Sequence, residues 1–362
     1  MPKAIAFIPH ARRLKAHKVD YVKAIASAMD SPYQSEDGRE LSEIQQKLHD
    51  KCADLSGIPY WTFTDCCTDA LQIAIHTLTN LGDTIVVPAY GWRAFANAVC
   101  FMNRKIHFVD IDDTGNIDID KLHNIPDETK AIIVVHNFGT VVDVNKIKSI
   151  VDPSIKIIED AAPAFYMGEP YSYIPGSAAD AMCVSFDFTK YPGTLGSGGA
   201  IAVRDAEIAE RIYECSAHGR SRSGEIVTIG TKSYMDNTSC AVLLKEIELF
   251  EQLEYRKRRV EIATWYNDKL PYKSVPGENY IYERYTMSVP FEEVETVIEK
   301  LNSVRCLAKT FFKEPLHKYG WLGGVSSDFI LKTDEFVSTT VMLPAHHYLE
   351  NEELERIANV LS

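Results

Sequence analysis

No two cysteines in this 362-residue chain are spaced as CxxC, no apolar run approaches the roughly 20 residues that span a bilayer, and no basic excess offsets its acids. Each absence excludes something. The eight cysteines, Cys52, Cys66, Cys67, Cys100, Cys183, Cys215, Cys240 and Cys306, lie mostly in apolar segments, which predicts reduced, buried thiols and neither a zinc site nor a disulfide framework. A formal net charge of -13 argues against nucleic acid as a partner and for a small molecule. With no membrane span, and only Ala4 to Pro9 apolar near the amino terminus, the expectation is a cytoplasmic protein with no membrane partner. Phosphate-loop fingerprints are missing as well. There is no Walker-type loop, and Gly196-Ser197-Gly198-Gly199-Ala200 runs into a strand where a dinucleotide loop would open a helix.

What is present is a composition of 46% hydrophobic and 25% charged residues, enough for a large domain and a smaller one. Short Ile/Val-rich runs predict buried strands at Thr84 to Val87, Lys105 to Asp110, Ala131 to Val135, Ile155 to Glu159, Ala181 to Ser185 and Ala200 to Val203. Between them, Asp69 to Asn80, Ala94 to Met102, Val144 to Val151 and Ala206 to Ala217 carry helical spacing. That alternation predicts an α/β fold with a mostly parallel sheet. Beyond Gly230 one long helix is expected over Ser239 to Leu270, then a break at Pro271, Pro276 and Gly277. A smaller α+β part should follow, with helices at Glu292 to Val304 and Asn351 to Leu361 and strands at Ile281 to Ser288 and Phe336 to Leu343. The expected division is residues 1–240, a large α/β domain, and 241–362, the linking helix and small α+β domain.

Chemistry concentrates at strand ends. Ile157-Ile158-Glu159-Asp160 delivers Asp160 to the edge where open α/β sheets bind ligands, although an acid after a strand also serves as an N-cap. Cys183 to Ser185 leads out to Lys190, with Gly196, Gly198 and Gly199 following; a lysine beside such a loop becomes a nucleophile when desolvated and an ordinary surface residue when not. Thr64 to Leu71 sets small and hydroxyl residues at a helix start, so Cys67 and Thr68 suit a phosphate, with capping by Thr68 or Asp65 as the alternative. Trp92, just after a strand, fits either a ligand face or the core.

Taken in order, Thr68-Asp69-Ala70-Leu71, Phe108 to Asp112, Val135-His136-Asn137-Phe138-Gly139, Glu159-Asp160-Ala161-Ala162, Ser185-Phe186 with Lys190, and Gly198-Gly199-Ala200 resemble the DegT/DnrJ/StrS family of sugar aminotransferases, of the fold-type-I pyridoxal-phosphate class. The resemblance runs from about Tyr33 to Leu270 and more weakly to Leu343-Pro344. It implies pyridoxal 5'-phosphate as cofactor, Lys190 as its Schiff-base lysine, Asp160 on its ring nitrogen, Trp92 stacked on the ring, and Thr68 and Ser185 on its phosphate. It further implies an amino-acid donor (glutamate), a nucleotide-linked keto-deoxysugar acceptor and a homodimer. Departures from the family pattern fall at Cys67, usually Gly; at Pro163, commonly Gln; at Asp187, frequently His; and at Lys232 and Tyr234, usually an Asn and an Arg that reach the neighbouring subunit's site. Lys232 retains a charge for phosphate. Because Lys190 is kept, the family's dehydratase offshoot, which has a His there, is disfavoured. A keto-cyclitol or other small ketone as acceptor, or a non-catalytic regulator with the same fold, are the competing expectations.

Overall fold

The computed structural model describes residues 4–31, 41–165, 173–275, 283–310, 312–324 and 330–362. Two helices lead in, α1 (His10–Met29) and α2 (Glu43–Ser56), the second closed by a Ser42/Gln45 capping box. Next come β1 (Tyr60–Thr64), α3 (Cys67–Leu78), β2 (Thr84–Pro88), α4 (Ala94–Phe101), β3 (Lys105–Val109), β4 (Thr129–Val135), α5 (Val144–Lys148), β5 (Lys156–Asp160), β6 (Ala181–Ser185), β7 (Gly199–Val203) and α6 (Ala206–Ser216). The carboxyl-terminal third adds α7 (Asn237–Gln252), α8 (Tyr255–Lys269), β8 (Tyr285–Ser288), α9 (Val294–Ser303), α10 (Leu331–Thr339), β9 (Thr340–Leu343) and α11 (Asn351–Leu361).

Seven strands form one sheet in the order β1-β7-β6-β5-β4-β2-β3. From β6 across to β3 every pair is parallel, and β7 runs antiparallel to both its neighbours. Both faces are covered, which is why the strands read as unbroken apolar runs. Successive residues serve opposite layers: Ile85, Val87, Ile133, Val135 and Ile158 pack with α3 and α4, while Val86, Ile132, Val134 and Ile157 pack on the other face around Val144 and Ile147 of α5. Toward β1 and β7, the second face is covered by α2 and α7 through Leu48, Cys52, Cys240, Leu243 and Ile247. A separate core holds the last part of the chain, where Ile262 and Tyr266 of α8 meet Tyr285, Leu301, Val341 and Ile357. Among the described residues no helix is long and apolar enough to cross a membrane, and all eight cysteines are free thiols.

Three sequence expectations are corrected. The long helix over Ser239 to Leu270 is two helices, α7 and α8, separated at Leu253 and Glu254, where Glu254 turns to φ 49°. The strand expected over Phe336 to Leu343 begins only at Thr340, because residues 331–339 form α10. The other late strand starts at Tyr285; Ile281 and Tyr282, like Pro276 and Gly277, lie outside the described residues.

Candidate active site

The carboxyl ends of β2, β4, β5 and β6 open on one edge of the sheet. Asp160 is the last residue of β5, and its carbonyl accepts from His136 N at 3.1 Å, which ties the ends of β5 and β4 together. Its neighbour Glu159 turns to the opposite side. There Glu159 is fully buried, accepts from Tyr173 OH at 2.7 Å and from Gly176 N, and lies 3.3 Å from His136 Nε2. Asp160 is therefore the acid that faces the other side, at the carboxyl end of β5. Its carboxylate accepts from Ala162 N at 3.1 Å. Burial pushes its titration above the usual carboxylate range, against that hydrogen bond and the opposing pull of Lys190 and His136.

Lys190 comes from the loop that joins β6 to β7. Asp187 shapes the turn, taking Thr189 N at 3.0 Å and Thr189 Oγ1 at 2.7 Å on its side chain and Lys190 N at 2.8 Å on its carbonyl. The half-buried amine meets an acid that sequence reasoning did not single out: Glu283 Oε1 is 3.4 Å from Lys190 Nζ, although the two residues are 93 positions apart. Glu283 Oε2 pairs with Arg284 Nε at 3.0 Å, and Glu283 N donates to Phe138 O at 3.1 Å. Burial raises the Glu283 carboxyl, but Arg284, Lys190 and the buried Arg259 outweigh it, so the group sits below its ordinary value and stays anionic. No spacing rule reaches across that distance, and Glu283, Arg284 and Arg259 leave no mark in the sequence as site residues.

At the amino end of α3 the N-cap residue is Cys66, whose side chain makes no capping hydrogen bond, so neither Thr68 nor Asp65 acts as the cap. Thr68 stands half-buried in the first turn. Cys67 closes the group: burial drives its thiol well up, and the charge of Asp160 adds to this while Lys190 opposes it. Cys67, Asp160 and Lys190 thus share one electrostatic neighbourhood. Ser185, buried at the end of β6, pairs in register with Gly199, and its Oγ accepts from Asp187 N at 3.4 Å. Gly199 lies hard against neighbouring backbone. A Cβ there would collide with the backbone of Cys66 and Cys67, so glycine lets α3 begin directly against β7. Lys232 is exposed beside this helix end, where its charge acts on Asp65 and the adjoining Ser233 Oγ accepts from Asp65 N at 3.0 Å. The ring of Tyr234 lies 5.1 Å from Lys232 Nζ.

Trp92 is not core. It is 54% exposed beyond β2, with the Arg93 guanidinium 4.6 Å from its ring centroid and Phe312 6.4 Å away. Gly91, at φ 145°, makes the turn that presents it, since a Cβ there would strike Phe95. Among the described residues no group of histidines, cysteines and acids could hold a metal ion.

Comparison with known proteins places these features in a family. Over 340 residues, covering 90% of each chain, the protein is 31% identical to a UDP-2-acetamido-2-deoxy-3-oxo-D-glucuronate aminotransferase of Pseudomonas aeruginosa. A dTDP-3-amino-3,6-dideoxy-alpha-D-galactopyranose transaminase of Aneurinibacillus thermoaerophilus is 28% identical over 96% of this chain and 97% of its own. The fold superposes on that of NtdA from Bacillus subtilis, solved with bound PMP, with a TM-score of 0.86 at 23% identity, across all of this chain and 85% of the other. The model of the DegT/DnrJ/EryC1/StrS aminotransferase family matches residues 17–362, and the chain belongs to that family.

Proposed function

We propose that the protein is a pyridoxal-phosphate-dependent aminotransferase that moves an amino group from an amino acid, glutamate, to a nucleotide-linked keto-deoxysugar. The observation that carries this reading is that the end of β5 with Asp160, the loop after β6 with Lys190, and the amino end of α3, seated against Gly199 of β7, lie at one edge of the sheet, where the charges of Asp160 and Lys190 both act on Cys67. The donor set suits the cofactor. A buried carboxyl held above its usual range by desolvation gains from a cationic N–H partner, such as a protonated ring nitrogen. A helix start without a side-chain cap suits a phosphate. When bound, pyridoxal phosphate acts as an electron sink for the charge left on the substrate carbon after proton removal.

In this reading the Lys190 amine would hold the cofactor's aldehyde carbon and would serve as the group that takes and returns a proton at the substrate carbon. Asp160 would pair with the ring nitrogen and favour its protonated form. Trp92, with the Arg93 guanidinium against its ring, would stack on the cofactor. Thr68, Ser185 and the backbone at Cys67 take the phosphate. Lys232, exposed beside the same helix end, would add charge there. Residues 1–240 form the cofactor-binding domain, and 241–362 the linking segment and smaller domain that brings Glu283 to Lys190. Nucleotide-linked substrates of the two sugar aminotransferases named above support the acceptor class.

The test uses purified protein and added pyridoxal phosphate. A visible band should appear, and borohydride should fix the cofactor to Lys190, located by peptide mass. Glutamate should discharge the band, and one of a panel of nucleotide-linked keto sugars should restore it. A protein that stays colourless and unlabelled at Lys190 would refute the proposal.

A further inference from the structure

Arg13 precedes the residues that the family model matches, yet its side chain is wholly buried. Its donors are spread over the loop that carries Lys190. Nη1 donates to the carbonyl of Phe188 at 3.1 Å, and Nη2 to the carbonyls of Gly193 and, at 3.1 Å, Thr194. Nε donates to Tyr21 OH at 3.0 Å and lies 3.2 Å from Glu246 Oε1, which in turn accepts from Tyr21 OH. Burial works against the charge on Arg13, but Glu246 and then Tyr21 outweigh it, so the guanidinium remains a cation.

The three carbonyls stand on both sides of Lys190 in the chain. The loop is already tight where they lie: a Cβ on Gly193 would collide with the carbonyl oxygens of Asp187 and Lys190. Inside it, Phe188 N donates to Gly196 O at 2.7 Å and Thr194 N to Phe186 O at 2.8 Å. A planar group with five N–H donors in a rigid fork can hold several carbonyls and a carboxylate at once; an ammonium on a flexible stem cannot hold the same geometry. Glu246 belongs to α7, so α1 and α7 together fix the guanidinium, and through it the loop.

We propose that Arg13 is a positioning residue for Lys190, clamping residues 188–194 so that the amine is presented to the cofactor cleft. The proposal rests on the reading of Lys190 as the cofactor-binding lysine. The competing account is that Arg13 only anchors α1, in which case its loss would weaken the whole protein without singling out Lys190.

The experiment compares Arg13→Met and Arg13→Lys, each alone and combined with Lys190→Ala. In the Lys190-containing proteins the borohydride-fixed adduct at Lys190 should form about 10- to 100-fold more slowly, the scale on which small misplacements of reacting groups act. In the Lys190→Ala background the same changes at Arg13 should leave non-covalent cofactor binding where it was. Without cofactor, the amides of residues 188–194 should exchange hydrogen faster in the Arg13 variants, while those of β4 and β5 keep their protection. Arg13→Lys should restore folding stability better than it restores the adduct rate. If Arg13→Met does not fold, Tyr21→Phe, which removes one bond that orients the guanidinium, carries the same comparison with a smaller expected effect. An unchanged adduct rate, or an equal loss of cofactor binding in both backgrounds, overturns the proposal. A wild-type protein that forms no adduct at Lys190 instead overturns the aminotransferase reading, and amide exchange then decides alone whether Arg13 holds the loop.

Discussion

A buried carboxylate, Asp160, and a half-buried one, Glu283, act on Lys190, and they titrate in opposite directions. At Glu283 the positive groups outweigh burial, so its folded value lies below the unfolded one. Its stabilising contribution is then present above the unfolded carboxylate range, near about 4.3, and disappears as pH falls through the lower folded value. Glu283→Gln should therefore lower stability at pH 7 by about 3 kcal/mol, because Lys190, Arg259 and Arg284 lose their common anion, and the gap to wild type should narrow as the acid protonates. Denaturant titrations from pH 7 to pH 3 measure it; a gap of constant size would remove Glu283 from this role. At Asp160 burial wins and the folded value is raised. The neutral form then favours folding, and stability is lost as pH rises from the unfolded value through the raised folded one. Asp160→Asn should gain stability over wild type across that window while the amino-donor half-reaction slows by about 10²- to 10⁴-fold with cofactor retained. Stopped-flow absorbance and urea melts give the two readings, and a variant both as fast as wild type and no more stable would contradict them. The positions of Asp160 at the end of β5 and of Lys190 in the loop after β6 were readable because an apolar strand precedes each. Glu283 was not, since its approach depends on how the last third of the chain folds back.

Elements whose signals are local match their expected bounds closely, as at β6 and α11. The apolar runs of the parallel strands were readable because burial on both faces leaves no polar alternation to confuse them. Where a boundary depends on distant residues, the reading fails. Leu253 and Glu254 continue a helical pattern, and nothing local says that Glu254 will adopt a left-handed conformation, which disfavours most side chains. Strand β1 went unread as well, although Trp61 and Phe63 point into the core on alternate positions, because Tyr60 and Thr62 between them are not buried and no unbroken apolar run results. The seat of α3 against β7 is a prediction at this scale. Gly199→Ala forces the backbone at Cys66 and Cys67 to move, and should lower stability by about 1–3 kcal/mol. If that helix start holds phosphate, cofactor affinity should fall more than stability does; equilibrium titration with pyridoxal phosphate decides, and wild-type affinity in a folded variant would detach the helix end from the site.

Across the whole molecule, the sheet and the last third of the chain are joined by polar ties as well as by packing. Asp110, just beyond β3, is buried, and its carboxylate receives Lys332 N at 2.9 Å, Thr333 N at 2.8 Å and Thr333 Oγ1 at 2.6 Å. These are first-turn donors of α10, whose own N-cap residue, Ile330, offers no side-chain bond. A residue 222 positions away thus does the work that an adjacent Ser or Asp ordinarily does, which explains why Phe336-Val337-Ser338-Thr339 read as strand: its β-branched residues were visible and its cap was not. Asp110→Ala should cost at least the 1–2 kcal/mol typical of a lost cap, with more from the buried donors left unpaired. The loss should be directional. Hydrogen exchange should quicken over residues 331–339 first, while the parallel strands β4 and β5 keep their protection, because the sheet has a core of its own. If β4 and β5 open together with α10, Asp110 is a support of the sheet itself and not a tie between the two parts of the molecule.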